Sequence, residues 1–197
     1  MAVPALNTSF QPEDYLAWEA DQPERHQYVD GEVFAMSGAN DRHVTVCMNL
    51  VMELRQHLKG SPCRTYMVDI KLRVEAANCY FYPDVFVTCS PLDAQDRLIK
   101  REPTLVIEVL SPSTAGYDRG GKFTVYRQLS SLQEYVLIDP DTRATDVYRK
   151  GADGLWVLHP FSRDESVKFA SMGLDISASD LFAELDDVPT STAKAVV

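Results

Sequence analysis

Two acidic residues stand where a folded chain normally avoids charge. Glu108 lies inside the apolar run "PTLVIEVLSPST", residues 103–114, and Asp84 lies among aromatics and valines in "YFYPDVFVT". Apolar runs of this length read as strands covered on both faces. An ionised carboxylate in such a strand is costly unless it is paired, hydrogen-bonded or metal-bound. If the two strands are neighbours, both carboxylates point at one cation. Carboxylate oxygens are the ligands that Mg²⁺ and Mn²⁺ prefer. Such an ion lowers the pKa of a bound water and neutralises charge on a pentavalent phosphorus. Pro83 removes a ladder donor just before Asp84, which marks an edge or a bulge, and bulges re-aim side chains beside active sites.

The segment after Glu108 adds a cation. In "SPSTAGYDRGGKFTVYRQL" Pro112 stops the strand, and Ser113 or Thr114 is placed to cap a helix from about Thr114 to Leu129. Asp118, Lys122 and Tyr126 then fall at i, i+4 and i+8 on one helix face. The helix N-terminus lies near the C-terminal end of the Glu108 strand, where free N–H groups favour an anion. A lysine there orients a hydroxide or stabilises charge developing on phosphate.

Plainer readings compete with each of these. Less favoured, Glu108 reads as half of a buried structural ion pair with an arginine, and Asp84 as a turn or bulge residue satisfied by backbone N–H groups. Taken alone, Asp118 and Lys122 read as a surface ion pair worth a few tenths of a kcal/mol. Tyr126 and Tyr135 read as core aromatics.

Several elements must hold these groups in place. "TSFQPEDYLAWEA" reads as a first helix with Thr8 or Ser9 as cap and Pro12 in the first turn. "RHQYVDGEVFAMSG" reads as a hairpin turning at Asp30-Gly31. Residues 41–58 form a strong helix pattern, capped by Asn40, ended by Gly60, with Val44, Cys47, Met48, Val51, Leu54 and Leu58 at helical spacing. "DIKLRV", "CYFYPDVFVTC" and "EYVLID" read as strands, and "RATDVYRK" with "GLWVLH" as a hairpin around "GADG". The expected organisation is one α/β domain over residues 1–185 with a mixed sheet, followed by a disordered tail, 186–197.

Bulk properties bound the rest. The 197 residues suit one domain with a sizeable core. No apolar run approaches the roughly 18 residues that span a membrane. The N-terminus lacks a basic segment followed by a long apolar one, so no signal peptide is expected. The four cysteines, Cys47, Cys63, Cys79 and Cys89, form no CxxC pair, which favours free, core-packed thiols in a reducing cytoplasm over a zinc cluster. The net charge of −10 disfavours nucleic acid at first sight. Its distribution softens this, because residues 41–160 hold fifteen acids and fifteen bases and the acidic excess lies at the two ends.

Together, "YPDV" and "PTLVIEVLSPSTAGYDRGGKFTVYRQLSSLQEYVLID" resemble the Uma2 family (DUF820) of restriction-endonuclease-like proteins. The likeness runs from about Pro12 to Leu185 and includes the early "YVDGEVFAMSGAN" and the "VDIKLRV" strand. It implies the PD-(D/E)XK nuclease fold, a mixed central β-sheet flanked by helices, with metal-dependent phosphodiester cleavage. Asp84 matches the aspartate of "PD", and Glu108 the acid of the second half-motif. The lysine departs from the pattern, since Leu110 stands two residues after Glu108. The resemblance implies Lys122 in its place, with Lys71, expected on a neighbouring strand, as the other candidate. Glu32 and His43 sit where the family has an early acid and a histidine near the cleft. By themselves, Glu32 is an unremarkable exposed hairpin acid and His43 a satisfied or solvated histidine.

The residues together with the resemblance imply, as an expectation, a divalent-metal-dependent endodeoxyribonuclease. Asp84 and Glu108, with the Val109 carbonyl, hold Mg²⁺ or Mn²⁺, Lys122 or Lys71 assists, and Asp118 supports. DNA is the expected partner, and a homodimer the expected assembly. Two alternatives stand beside it: a non-catalytic nucleic-acid or protein binding module on the same fold, and a metal-dependent hydrolase of small phosphoesters.

Overall fold

The computed structural model of the chain describes residues 4–6, 10–36 and 38–186. The expected tail from residue 187 onward, and the expected helix caps Thr8 and Ser9, lie outside the described residues. The first helix, α1, spans Pro12–Ala20 with proline in its first turn, and Gln11 takes the N-cap position without a side-chain cap bond. Among the described residues no helix is long and apolar enough to cross a membrane.

The chain is a mixed α/β protein whose strands, among the described residues, form two six-stranded sheets and a two-stranded one that pairs β13 (Val167–Phe169) with β14 (Leu174–Ile176). The first contains β1 (Pro4–Leu6), β2 (His26–Val29), β3 (Glu32–Ala35), β5 (Lys71–Val74), β6 (Cys79–Phe81) and β8 (Ile99–Lys100), in the order β1-β3-β2-β6-β5-β8. The second contains β4 (Arg64–Met67), β7 (Val85–Thr88), β9 (Pro103–Val109), β10 (Glu134–Ile138), β11 (Thr145–Lys150) and β12 (Trp156–Phe161), in the order β12-β11-β10-β9-β7-β4. The expected hairpins are present. Asp30 and Gly31 both take positive φ, 46° and 98°, in the tight turn between β2 and β3. β11 pairs antiparallel with β12 around the "GADG" turn.

The run "CYFYPDVFVTC" is two strands, not one. β6 and β7 belong to different sheets, and the chain crosses between them at Tyr82-Pro83-Asp84. Proline supplies no donor at that corner, so the first ladder ends there.

β9 is central: it runs antiparallel to β7 and parallel to β10. Alternation then sorts its residues. Leu105, Ile107 and Val109 join a core with helix α2 (Asp41–His57), where Val46, Cys47, Leu50 and Leu54 are buried. Val106 and Leu110 face the other way, into a core shared with Phe81, Tyr126 and Tyr135. Glu108 has the parity of this second set.

Helix α2 begins as expected, with the Asn40 side chain accepting from the His43 N–H at 2.9 Å. Its buried stripe is rotated from the expected one. Val44 and Met48 are exposed, because α2 carries a second apolar stripe that does not enter the core. The helix that crosses from β9 to β10 covers Ala115–Tyr126 rather than reaching Leu129, and widens to a π-type turn over Asp118–Lys122. Thr114 holds its N-cap position but makes no side-chain cap bond. Cys63 and Cys89 are bonded as a disulfide, while Cys47 and Cys79 are free and buried. The expectation of four free thiols is thus corrected. Residues 63 and 89 directly flank the antiparallel pair Arg64↔Thr88, which brings their Cα atoms to 3.9 Å.

Candidate active site

The β7–β9 register pairs Val85 with Ile107. Extending it by one residue sets Asp84 opposite Glu108. Asp84 is the first residue after the proline corner, so it stands at the mouth of β7 rather than within it. Its Oδ2 accepts the Val109 N–H at 2.8 Å, and its Oδ1 lies 3.1 Å from His43 Nε2. One oxygen is therefore fixed by the backbone of β9 and the other by α2. The corner is itself anchored. The Tyr82 hydroxyl donates to Glu19 Oε1 at 2.8 Å, and Glu19 is buried on α1, where it also accepts the His26 N–H at 3.0 Å.

Glu108 is buried and fully engaged. Tyr126 donates its hydroxyl to Oε1 at 2.9 Å, and Lys122 Nζ lies 3.0 Å from Oε2. Lys122 also reaches Asp118 Oδ1 at 2.9 Å. The partner of Glu108 is this lysine and not an arginine, and the Asp118–Lys122 pair is buried rather than on the surface. Tyr135 closes the arrangement from β10, donating to the Asp118 carbonyl at 2.8 Å. The i, i+4, i+8 face thus delivers an acid, an amine and a hydroxyl to one point.

Charge is unbalanced here. Glu108 and Asp118 both hold the Lys122 ammonium, and Asp84 lines the same cleft. Burial pushes the Glu108 carboxyl up to about 8, with Lys122 opposing and Asp84 and Asp118 adding to the rise. Lys122 is held charged despite its burial, by Glu108, Asp118 and Asp84. Burial, with Asp84 and Glu108 nearby, raises the Cys47 thiol. A buried hollow of hard oxygen donors, where burial and neighbouring carboxylates oppose the ionisation of Glu108, suits a divalent cation such as Mg²⁺ or Mn²⁺.

These groups open into a cleft of about 500 Å³. Asp84, Glu108, Val109, His43, Asp118 and Lys122 all line it. Two expected residues do not. Lys71 sits on β5, in the other sheet and not beside β9, with its ammonium 5.3 Å from the Tyr82 ring centre. Burial lowers its pKa. Glu32 is exposed at the start of β3. Cys47 and Glu19 were not marked by their sequence context, because a helix-face cysteine and a helix-end glutamate look ordinary in isolation. The Tyr126 role was signalled only by its spacing from Lys122.

The architecture places the chain in the restriction-endonuclease-like α/β class. A solved structure described as a "putative nuclease belonging to DUF820" from Anabaena variabilis ATCC 29413 superposes with a TM-score of 0.70 at 20% identity, covering 88% of this chain and 97% of that one. At that identity the likeness speaks for the fold. The chain belongs to the Uma2 family, described as "Putative restriction endonuclease", which it matches over residues 12–179. Two proteins of Synechocystis sp. (strain ATCC 27184 / PCC 6803 / Kazusa), both described as uncharacterized, are similar along most of their length. The protein slr1290 is 37% identical over 174 residues, covering 88% of this chain and 92% of its own. The protein sll1609 is 32% identical over 160 residues, covering 80% and 90%.

Proposed function

We propose that the protein is a divalent-metal-dependent nuclease that hydrolyses DNA phosphodiester bonds. One observation carries this reading: Asp84, at the mouth of β7, accepts the N–H of Val109 next to Glu108, Lys122 is buried against Glu108, and all three side chains line one cleft. Asp84 and Glu108, with the Val109 carbonyl, are the residues to hold Mg²⁺ or Mn²⁺. When bound, such an ion supplies positive charge for the oxygens of the phosphorane and for the attacking water.

The chain's own groups do the rest. The Val109 N–H and His43 fix the two oxygens of Asp84 in direction. Tyr126 holds one oxygen of Glu108, leaving Oε2 to the cationic side of the site. Lys122, pinned by Asp118, keeps an ammonium beside Glu108, where it orients the nucleophile and offsets charge in the transition state. Asp118 acts through Lys122 and is a positioning residue. A homodimer that presents two sites to two strands belongs to the same reading. Calorimetric titration with Mn²⁺ tests the metal. Binding by the wild type that is lost in both Asp84→Ala and Glu108→Ala supports the assignment, and unchanged affinity in either overturns it.

A second reading is favoured by the walls of the cleft. Apart from Lys122 and His43, its lining carries no basic residue among the described residues, and Val29, Phe34, Met36, Val44 and Met67 make much of its surface. A duplex presents one phosphate charge per ~1.7 Å of axis and calls for basic contacts. A small phosphoester, or a bound partner that is not cleaved, asks for fewer. Metal-dependent hydrolysis of bis(p-nitrophenyl) phosphate without cleavage of any DNA would favour the small-ester hydrolase. Inactivity on both, with DNA retained on the protein, would favour the binding module.

A further inference from the structure

We propose a second cation site, formed by His43, Cys47 and Asp84, that takes a borderline-soft divalent transition ion of the Zn²⁺ kind. One donor atom from each of the three residues falls within 4.8 Å of the others. His43 and Cys47 are four residues apart on α2, so both project from one face, one turn apart. Asp84 meets that face from the proline corner.

The observed spacing is close to that of a coordination shell. Zinc bonds to nitrogen and oxygen of ~2.0–2.2 Å in tetrahedral geometry put those two ligands about 3.3 Å apart. His43 Nε2 and Asp84 Oδ1 are 3.1 Å apart already. A thiolate at ~2.3 Å from the same ion stands about 3.6 Å from either, so with the donors within 4.8 Å of one another closure needs Cys47 Sγ to move by about an ångström at most. Binding releases the thiol proton to solvent.

Other features set the site apart from ordinary packing. Cys47 is a free thiol and only 4% exposed. All three residues line the cleft, so an ion held by them keeps its fourth position toward the space where substrate would enter. The donor set of imidazole, thiolate and carboxylate selects Zn²⁺, Co²⁺ or Fe²⁺ over Mg²⁺. It is therefore distinct in chemistry from the oxygen site at Asp84 and Glu108, although both draw on Asp84. Zn²⁺ and a hard cation thus contend for one carboxylate.

Co²⁺ is the probe, because thiolate coordination gives it a near-ultraviolet charge-transfer band. The full chain, stripped of metal with its disulfide intact, is titrated with Co²⁺. The band should grow to one equivalent in wild type. It should be lost in Cys47→Ser and Cys47→Ala, and persist in Cys79→Ser. His43→Gln should weaken Co²⁺ at least about tenfold. Glu108→Gln should keep the band even though it removes the hard site, so this inference stands or falls apart from the nuclease reading. Circular dichroism checks each variant's fold. If the Cys47 variants do not fold, the His43→Gln affinity decides. No band in wild type, a band that survives Cys47→Ser, or unchanged affinity in His43→Gln overturns the proposal.

Discussion

Glu108 tilts the stability of the metal-free protein against rising pH. Its carboxyl is raised from 4.5 to about 8, chiefly by burial. In the unfolded chain the same group titrates near its usual value. Between those two limits the native state keeps a proton that the unfolded chain has released. Deprotonation therefore favours unfolding. The contribution is fully present below about pH 4.5, declines through the interval, and is exhausted above about pH 8. One proton corresponds to about 1.4 kcal/mol per pH unit, so the whole interval amounts to a few kcal/mol. Glu108→Gln removes the titration. It also takes a charged partner from Lys122, which shifts the level of stability but leaves the Glu108 slope absent. Urea unfolding in EDTA at a series of pH values from about 5 to 9 measures both proteins. The wild-type curve should fall relative to the variant's by about 1 kcal/mol per pH unit through the middle of the range. Parallel curves, or a wild type that gains stability relative to the variant as pH rises, would refute the reasoning.

Other perturbations separate the roles of the surrounding groups. Tyr126→Phe leaves Glu108 Oε1 without its donor in a buried site, so urea unfolding should show a loss of about 1–3 kcal/mol, and nuclease activity should fall with it. Glu134→Ala removes an acid that holds Arg149 Nε at 2.8 Å together with the Ala170 and Ser171 N–H groups. Thermal unfolding should show destabilisation of about 3–5 kcal/mol, with metal affinity of the folded fraction unchanged. Reducing the Cys63–Cys89 bond, which closes a segment with a sequence separation of 26, should lower stability by about 2–4 kcal/mol. Thiol counting by mass spectrometry verifies the reduction.

The site was more legible than the frame that holds it. Glu108 stood out because a charge in the middle of a buried seven-residue strand has few explanations, and Asp84 because proline preceded it. The spacing of Asp118, Lys122 and Tyr126 survived the π-type turn, so one helix face still delivered all three. Pattern alone did not reveal that "CYFYPDVFVTC" divides between two sheets, since both halves are buried and apolar throughout. That division moved Lys71 away from β9. The α2 stripe was misplaced for a related reason: Val44 and Met48 are apolar yet belong to the exposed side, and Val44 lines the cleft. Glu134 begins its strand, where an acid is ordinary in sequence, although the fold buries it completely. The disulfide required knowing that β4 and β7 pair, which brings together residues distant in sequence.

Cleavage of supercoiled plasmid with Mg²⁺ or Mn²⁺ tests the central claim most directly, with wild type compared against Asp84→Ala, Glu108→Ala and Lys122→Ala. The account predicts metal-dependent nicking by wild type that disappears in both carboxylate variants and is strongly reduced in Lys122→Ala. Nicking that persists unchanged in the carboxylate variants, or no nicking by any folded protein with either metal, would contradict it.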